Sequence, residues 1–308
     1  MFNNLLKNLN IFSTMYMYKT LIGKNGYLFL QNDSARELEV HSNNLSLVND
    51  NFYKKYETIK DKFLIIVFPN KSYIYSKFLP DNFNLKYRPG FEIYKNYFNK
   101  NILDGYHFLK DVDDSCYKTD THINNKGSLI IFNEFINKIK DLFNLNINTI
   151  QYEYNKIEVE NLSSLGLGIG DLTWDLNLGD QLLESKKDNY YEIVASEILY
   201  TKYKFNDSSE IKTLQYIDNS IIDKTIDNYD KILDWNIISQ YILFKQNTNI
   251  HNKLKVVIFY DSFLCFTLQL YMNLFYEVYF IKSIFNINII NFINPDYIFE
   301  FRVERFLL

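Results

Sequence analysis

Phe63-Leu64-Ile65-Ile66-Val67-Phe68, closed by Pro69, is an unbroken apolar run with three β-branched residues in succession. A strand wet on one face alternates apolar and polar residues. A run this short and uninterrupted predicts a strand covered on both faces, as in a parallel sheet. Leu254 to Phe259, broken only by Lys255, is a second such run and leads into Tyr260-Asp261-Ser262. Glu277 to Ile281 and Tyr297 to Val303 read as further strands. Tyr27 to Leu30 reads as a short strand entered from the turn at Gly23 and Gly26, and Tyr106 to Leu109 as another short strand. Helical spacing falls between them. It marks Leu45 to Lys62 (Phe52, Tyr56, Ile59), Phe91 to Asn101, a helix opened by Phe263, and a helix opened by Gly127. In the last of these Ile131, Phe132, Phe135, Ile136 and Ile139 share one face. Strands alternating with helices give an α/β fold with a mainly parallel sheet.

From about residue 144 to 249 the pattern loosens. We expect one domain over 1–308, with an irregular, partly antiparallel insertion there that includes short segments such as Tyr191 to Val194. Its Gly166-Leu167-Gly168-Ile169-Gly170-Asp171 stretch is not a dinucleotide fingerprint, because no strong strand precedes it and no clear helix follows. It reads as a turn, with Asp171 at the border of a pocket as the secondary option.

The formal net charge is −4 and no stretch is strongly basic, which excludes a dedicated nucleic-acid binder. The bias toward Asn, Ile, Lys, Tyr and Phe points to an AT-rich genome, and the spread-out aromatics to core filling. Two cysteines, Cys116 and Cys265, make neither a disulfide framework nor a structural zinc site. No cluster has metal-ligand spacing, and no cofactor motif is present. Residues Met1 to Tyr18 lack a secretory pattern. Phe263 to Ile281 is the most apolar stretch, but it carries Thr267, Gln269, Asn273 and Glu277. It therefore reads as a buried helix and strand, not a membrane span. The expected location is cytoplasmic.

In parallel sheets ligands bind beyond the carboxyl ends of the strands. Three inferred strand ends carry polar groups: Asn70 and Lys71, Asp261 and Ser262, Glu304 and Arg305. Ser262 follows a buried strand and starts a helix, where free amides favour negative charge and can support an oxyanion. Read locally, Asp-Ser at a helix start is also an N-cap. Asp120 and His122 stand two residues apart, so a carboxylate could fix the imidazole tautomer while the other nitrogen takes the Ser262 proton. Read locally, Asp-x-His is also an ordinary turn. Of four histidines, only His122 has both a placed carboxylate and a following glycine-opened helix. Glu304 and Arg305 read as an ion pair anchoring the last strand or as substrate contacts. Lys71, Tyr73 and Tyr260 are further candidates for substrate binding.

These segments resemble, in order, the SGNH-hydrolase-like domain of the alginate O-acetyltransferases and related polysaccharide acetyltransferases. Gly23-Lys24-Asn25-Gly26-Tyr27-Leu28-Phe29 resembles the family's Gly-Lys-x-Gly-Trp-Leu-Phe segment. Val67 to Tyr75 with Leu79-Pro80 is similar to its Pro-x-Lys segment, and Thr119-Asp120-Thr121-His122 to its Asp-Thr-His-Trp motif. Asp261-Ser262-Phe263 resembles the nucleophile motif, and Pro295-Asp296-Tyr297 through Glu304-Arg305-Phe306-Leu307 the closing segments. Tyr260 stands where a Gly usually precedes Asp-Ser, and Ile123 where a Trp follows His. Within the insertion only Gly170-Asp171-Leu172 matches.

The resemblance implies a three-layer sandwich and a Ser262-His122-Asp120 triad. It implies a serine-dependent O-acyltransferase, an O-acetyltransferase, acting on a carbohydrate or surface-polysaccharide precursor. The alternatives are a carbohydrate esterase with the same triad and a non-catalytic glycan-binding relative. The acyl donor would be acetyl-CoA or a membrane acyl carrier rather than a tightly bound cofactor. Partner proteins of a polysaccharide biosynthesis system would follow, and a periplasmic location is the family's alternative to the cytoplasm.

Overall fold

The structure is a computed structural model that describes residues 20–31, 35–45, 48–49, 51–118, 120–147, 171–172, 215–216, 242–246, 252–265, 267–272 and 274–307. Thr20–Ile22 (β1) and Leu28–Leu30 (β2) form an antiparallel pair. The main sheet is built from Phe63–Phe68 (β3), Ile102–Asp104 (β4), Gln215–Tyr216 (β5), Ile242–Gln246 (β6), Lys255–Tyr260 (β7), Glu277–Ile281 (β8) and Tyr297–Val303 (β9). Its order is β4-β3-β9-β7-β8-β6-β5. The first five strands in that order run parallel, while β6 and β5 add on antiparallel beyond β8.

All six residues of β3 are buried, as the unbroken run required. Leu64, Ile66 and Phe68 face one layer, joined by Val256, Ile258, Phe299 and Phe301. Phe63, Ile65 and Val67 face the other, with Val257, Phe259 and Ile298. Successive side chains of a strand point to opposite faces, so a sheet apolar on both must be covered twice. The helix Asn125–Phe143 covers the first face with Ile131, Phe132, Phe135, Ile136 and Ile139, all fully buried. The helices Pro89–Phe98 and Ile287–Ile293 cover the second, through Phe91, Tyr94, Phe98, Ile289, Ile290 and Ile293. This is a three-layer α/β sandwich.

Some elements differ from the sequence reading. Tyr106 to Leu109 is helix, not strand; the strand is Ile102–Asp104, and the Asp104 carboxylate caps the helix Gly105–Leu109 by accepting from Tyr106 N. A four-residue segment carries no period long enough to separate the two, and the cap decides it. Phe52–Lys62 winds as a 3₁₀ helix. Ser262–Leu264 is a single 3₁₀ turn, and the helix proper is Leu268–Met272. The helix Ile287–Ile293 escaped the sequence reading, although Asn286 caps it. Tyr191 to Val194 and Gly166 to Gly170 lie outside the described residues.

Gly127 is dictated by proximity. A Cβ there would sit 2.4 Å from the Ser115 carbonyl oxygen. The helix therefore starts in contact with the chain leading to Asp120 and His122, and that contact helps to place them.

Candidate active site

The residues singled out above gather beyond the carboxyl ends of β3, β7 and β9, where a parallel sheet presents its loops. Asp261 follows β7. Its Oδ1 accepts from Phe263 N at 2.9 Å and its Oδ2 from Val303 N at 2.7 Å. The cap reading is thus correct for Asp261, and the same carboxylate ties the nucleophile turn to the end of β9. Capping leaves the neighbouring Ser262 hydroxyl available.

The segment carrying Asp120 and His122 is a loop fixed from several sides. Cys116 and Ile123 form an isolated antiparallel bridge, Tyr117 N donates to His122 O, and Asn124 N to Ser115 O. Asn124 then caps the helix through Gly127 N. Leu28 N in β2 donates to Lys118 O at 2.8 Å. Beneath the loop the Lys71 ammonium donates to the carbonyls of Tyr117, Lys118 and Asp120 at 2.9, 3.0 and 2.7 Å.

Three side chains meet in a line. His122 Nδ1 lies 2.6 Å from Asp120 Oδ1, and His122 Nε2 lies 2.9 Å from Ser262 Oγ. An ionised carboxylate only accepts, so Nδ1 carries the proton and Nε2 accepts from the serine hydroxyl. Asp120 Oδ1 also accepts from His122 N, and Oδ2 from Asp171 N. Burial opposes the Asp120 charge, but the hydrogen bond and charge of His122 and the two amides outweigh it. Its pKa falls to about 2. The imidazole packs on Phe263 with ring centroids 4.7 Å apart.

Asp171, expected at most at the rim of a pocket, enters this cluster. Its carboxylate accepts from Thr121 N at 2.8 Å and Thr121 Oγ1 at 2.6 Å, and Oδ2 lies 3.7 Å from His122 Nδ1. Burial first, and then the charge of Asp120, push its pKa up. Donor atoms of Asp120, His122 and Asp171 all lie within 4.8 Å of one another, a spacing that a cation could bridge. Each of the four carboxylate oxygens already accepts from an N–H or O–H, so the cluster is satisfied by the protein itself. Only the Gly-Asp-Leu match hinted at it, because Asp171 is distant in sequence from the loop it joins.

The other candidates are held by contacts within the protein. Lys71 is 3 % exposed and its ammonium faces the loop carbonyls. Tyr260, also 3 % exposed, lies under the nucleophile turn beside Phe280, and burial pushes its phenol up. Tyr73 is half-buried between the rings of His41 and Tyr106. Glu304 and Arg305 each find another partner. Arg88 donates to Glu304 and to Asp104, while Arg305 reaches Glu37 at 3.4 Å and Asn70 at 3.3 Å. Consecutive on the 3₁₀ turn Glu304–Phe306, the two buried side chains take separate oppositely charged partners. Arg305 also lies over the Phe263 ring, at 5.2 Å.

The fold is the three-layer α/β sandwich that the motifs implied. No protein-family model matches the chain, and no curated protein matches it in sequence. Solved structures do resemble it. Bacillus cereus PatB1 with a sulfonyl adduct is 15% identical, covering 95% of this chain and 97% of that one at a TM-score of 0.54. A DHHW family protein from Eubacterium siraeum is 14% identical over 92% and 93%, at 0.50. The O-acetyltransferase domain of Pseudomonas putida AlgJ is 13% identical over 94% and 91%, at 0.48. At these identities the first two likenesses speak for the fold alone.

Proposed function

We propose that this chain is a serine-dependent O-acyltransferase, an O-acetyltransferase acting on a carbohydrate or surface-polysaccharide precursor. The observation that carries the reading is the 2.9 Å contact of His122 Nε2 with Ser262 Oγ, with Asp120 at 2.6 Å on the far nitrogen. Asp120 fixes the tautomer, His122 is the base and Ser262 the nucleophile. As Oγ bonds the acyl carbon of the donor, its proton passes to Nε2. The bond to the donor's leaving group then breaks, and Nε2 returns the proton to that group. A sugar hydroxyl next loses its proton to Nε2 and attacks the acyl-serine, and Ser262 Oγ recovers the proton as it leaves. Phe263 N is engaged by Asp261, so Ser262 N is the amide assigned to the oxyanion.

The carbohydrate acceptor and the acyl donor, acetyl-CoA or a membrane acyl carrier, come from the motif resemblance, as do partners in a polysaccharide biosynthesis system. Among the described residues no helix is long and apolar enough to cross a membrane. The test is intact mass after exposure to 4-nitrophenyl acetate or a sulfonyl fluoride, with wild type beside Ser262→Ala. The reading expects one adduct, mapped to Ser262 and missing in the variant. An adduct that persists in Ser262→Ala excludes Ser262 as the nucleophile. Addition of a sugar acceptor separates transfer from hydrolysis: release of free acetate alone, with no acetylated sugar, would favour an esterase.

A further inference from the structure

Asp171 has no step in the mechanism above, yet it closes a ring around the base. Its backbone N–H donates to Asp120 Oδ2 at 3.0 Å while its carboxylate takes the N–H and hydroxyl of Thr121, the residue between Asp120 and His122. Leu172 is anchored in turn, its carbonyl accepting from the buried Thr20 hydroxyl on β1 at 2.8 Å. Two carboxylates therefore face one imidazole nitrogen, Asp120 at 2.6 Å and Asp171 at 3.7 Å.

We propose that Asp171 is a positioning residue of the same reaction. It holds the Asp120-Thr121-His122 loop in register and shares the positive charge that His122 gains on taking the Ser262 proton. The inference rests on the acyl-transfer reading. The other charged groups around the imidazole do not duplicate the role. The Lys71 ammonium sits behind the loop on its carbonyls. Arg305 lies over Phe263 and pairs with Glu37, and Asp261 is held by Phe263 N and Val303 N.

Two like charges stand side by side, a repulsion that water screens in part because the Asp171 side chain is 43 % exposed, and the Asp120 charge is the second cause, after burial, of the raised pKa of Asp171. Groups held in such a state are typical of sites where function outweighs stability. Removing the charge should therefore slow the reaction without weakening the fold.

The experiment measures acylation of the full chain by 4-nitrophenyl acetate, with melting followed at pH 7, in wild type, Asp171→Asn and Asp171→Ala. Asparagine keeps an oxygen for Thr121 N and removes the charge. Expected are acylation about tenfold slower, a saturation constant for the ester within about twofold, and a melting temperature equal to or above wild type. Alanine removes the latch as well and should slow acylation about 100-fold. Acylation of Asp171→Asn at the wild-type rate overturns the inference alone. So does a slow Asp171→Asn that also melts early, since that outcome marks a structural role. A wild type that never acquires the acetyl mass at Ser262 overturns this inference and the acyl-transfer reading together.

Discussion

Replacing Lys71 with methionine separates two roles that a lysine at a strand end can have. If the ammonium serves the loop, the variant loses three donations, at 2.7 to 3.0 Å, to the carbonyls of Tyr117, Lys118 and Asp120. A hydrogen bond from a charged donor contributes about 1.5–3 kcal/mol. The Tyr117 acceptor is buried and the other two partly so, and water reaches those two once the loop relaxes. The low end of the range, for three bonds, gives roughly 4.5 kcal/mol. Methionine returns about 1–2 kcal/mol, because no ammonium has to be desolvated and the thioether packs against Phe29, which lies 5.4 Å from Nζ. The net loss is about 2.5–3.5 kcal/mol, a fall of roughly 4–5 °C in melting temperature for a chain of this size. Slack at the Asp120 carbonyl misplaces His122, and acylation of Ser262 drops about 100-fold. Thermal melting by circular dichroism and burst kinetics with 4-nitrophenyl acetate measure both. Unchanged melting and acylation, with KM raised for a sugar acceptor, would refute the argument and return Lys71 to the substrate.

Asp120→Asn should lower acylation about 10³- to 10⁴-fold in pre-steady-state kinetics, since the amide favours the wrong tautomer of His122. The same residue predicts acid behaviour. Its pKa is depressed from 3.8 to about 2, so its ionised form stabilises the fold above about pH 4, and that contribution drains away as the pH falls through 2. Its size is about 2 kcal/mol, read as the difference in urea midpoint between pH 5 and pH 2, and the part due to Asp120 disappears in Asp120→Asn. Gly127→Ala drives a Cβ to 2.4 Å from the Ser115 carbonyl and should cost about 2–4 kcal/mol in urea unfolding. Arg88→Met leaves Glu304, whose side chain is 3 % exposed, without the cation it holds at 2.7 Å. Its cost is about 3–5 kcal/mol, measured the same way, and wild-type stability in this variant would show that the pair carries no net weight.

Hydrophobic period made the frame legible. β3 and β7 were readable because a strand buried on both faces is apolar nearly throughout, and the Asn125–Phe143 stripe because a helix on such a sheet must be apolar along one side. Where the run was short, as at Tyr106 to Leu109, a single capping carboxylate decided the element and the pattern misled. Asp120, His122 and Ser262 were picked out by residue type and by motif order, yet each also had an ordinary local explanation.

The sequence by itself determined the α/β layering, the strand ends where chemistry would gather and the three residue types suited to acyl transfer. All of these follow from side-chain character along short stretches of chain. Only the tertiary structure decided what meets what. It turned Lys71 inward onto three carbonyls, gave Glu304 and Arg305 separate partners and brought Asp171 to Thr121 across 50 positions. A buried charge takes the best-aligned opposite charge or dipole within a few ångströms, whatever its distance along the chain. Which groups come that close is set by the packing of whole elements, and no local pattern carries that information.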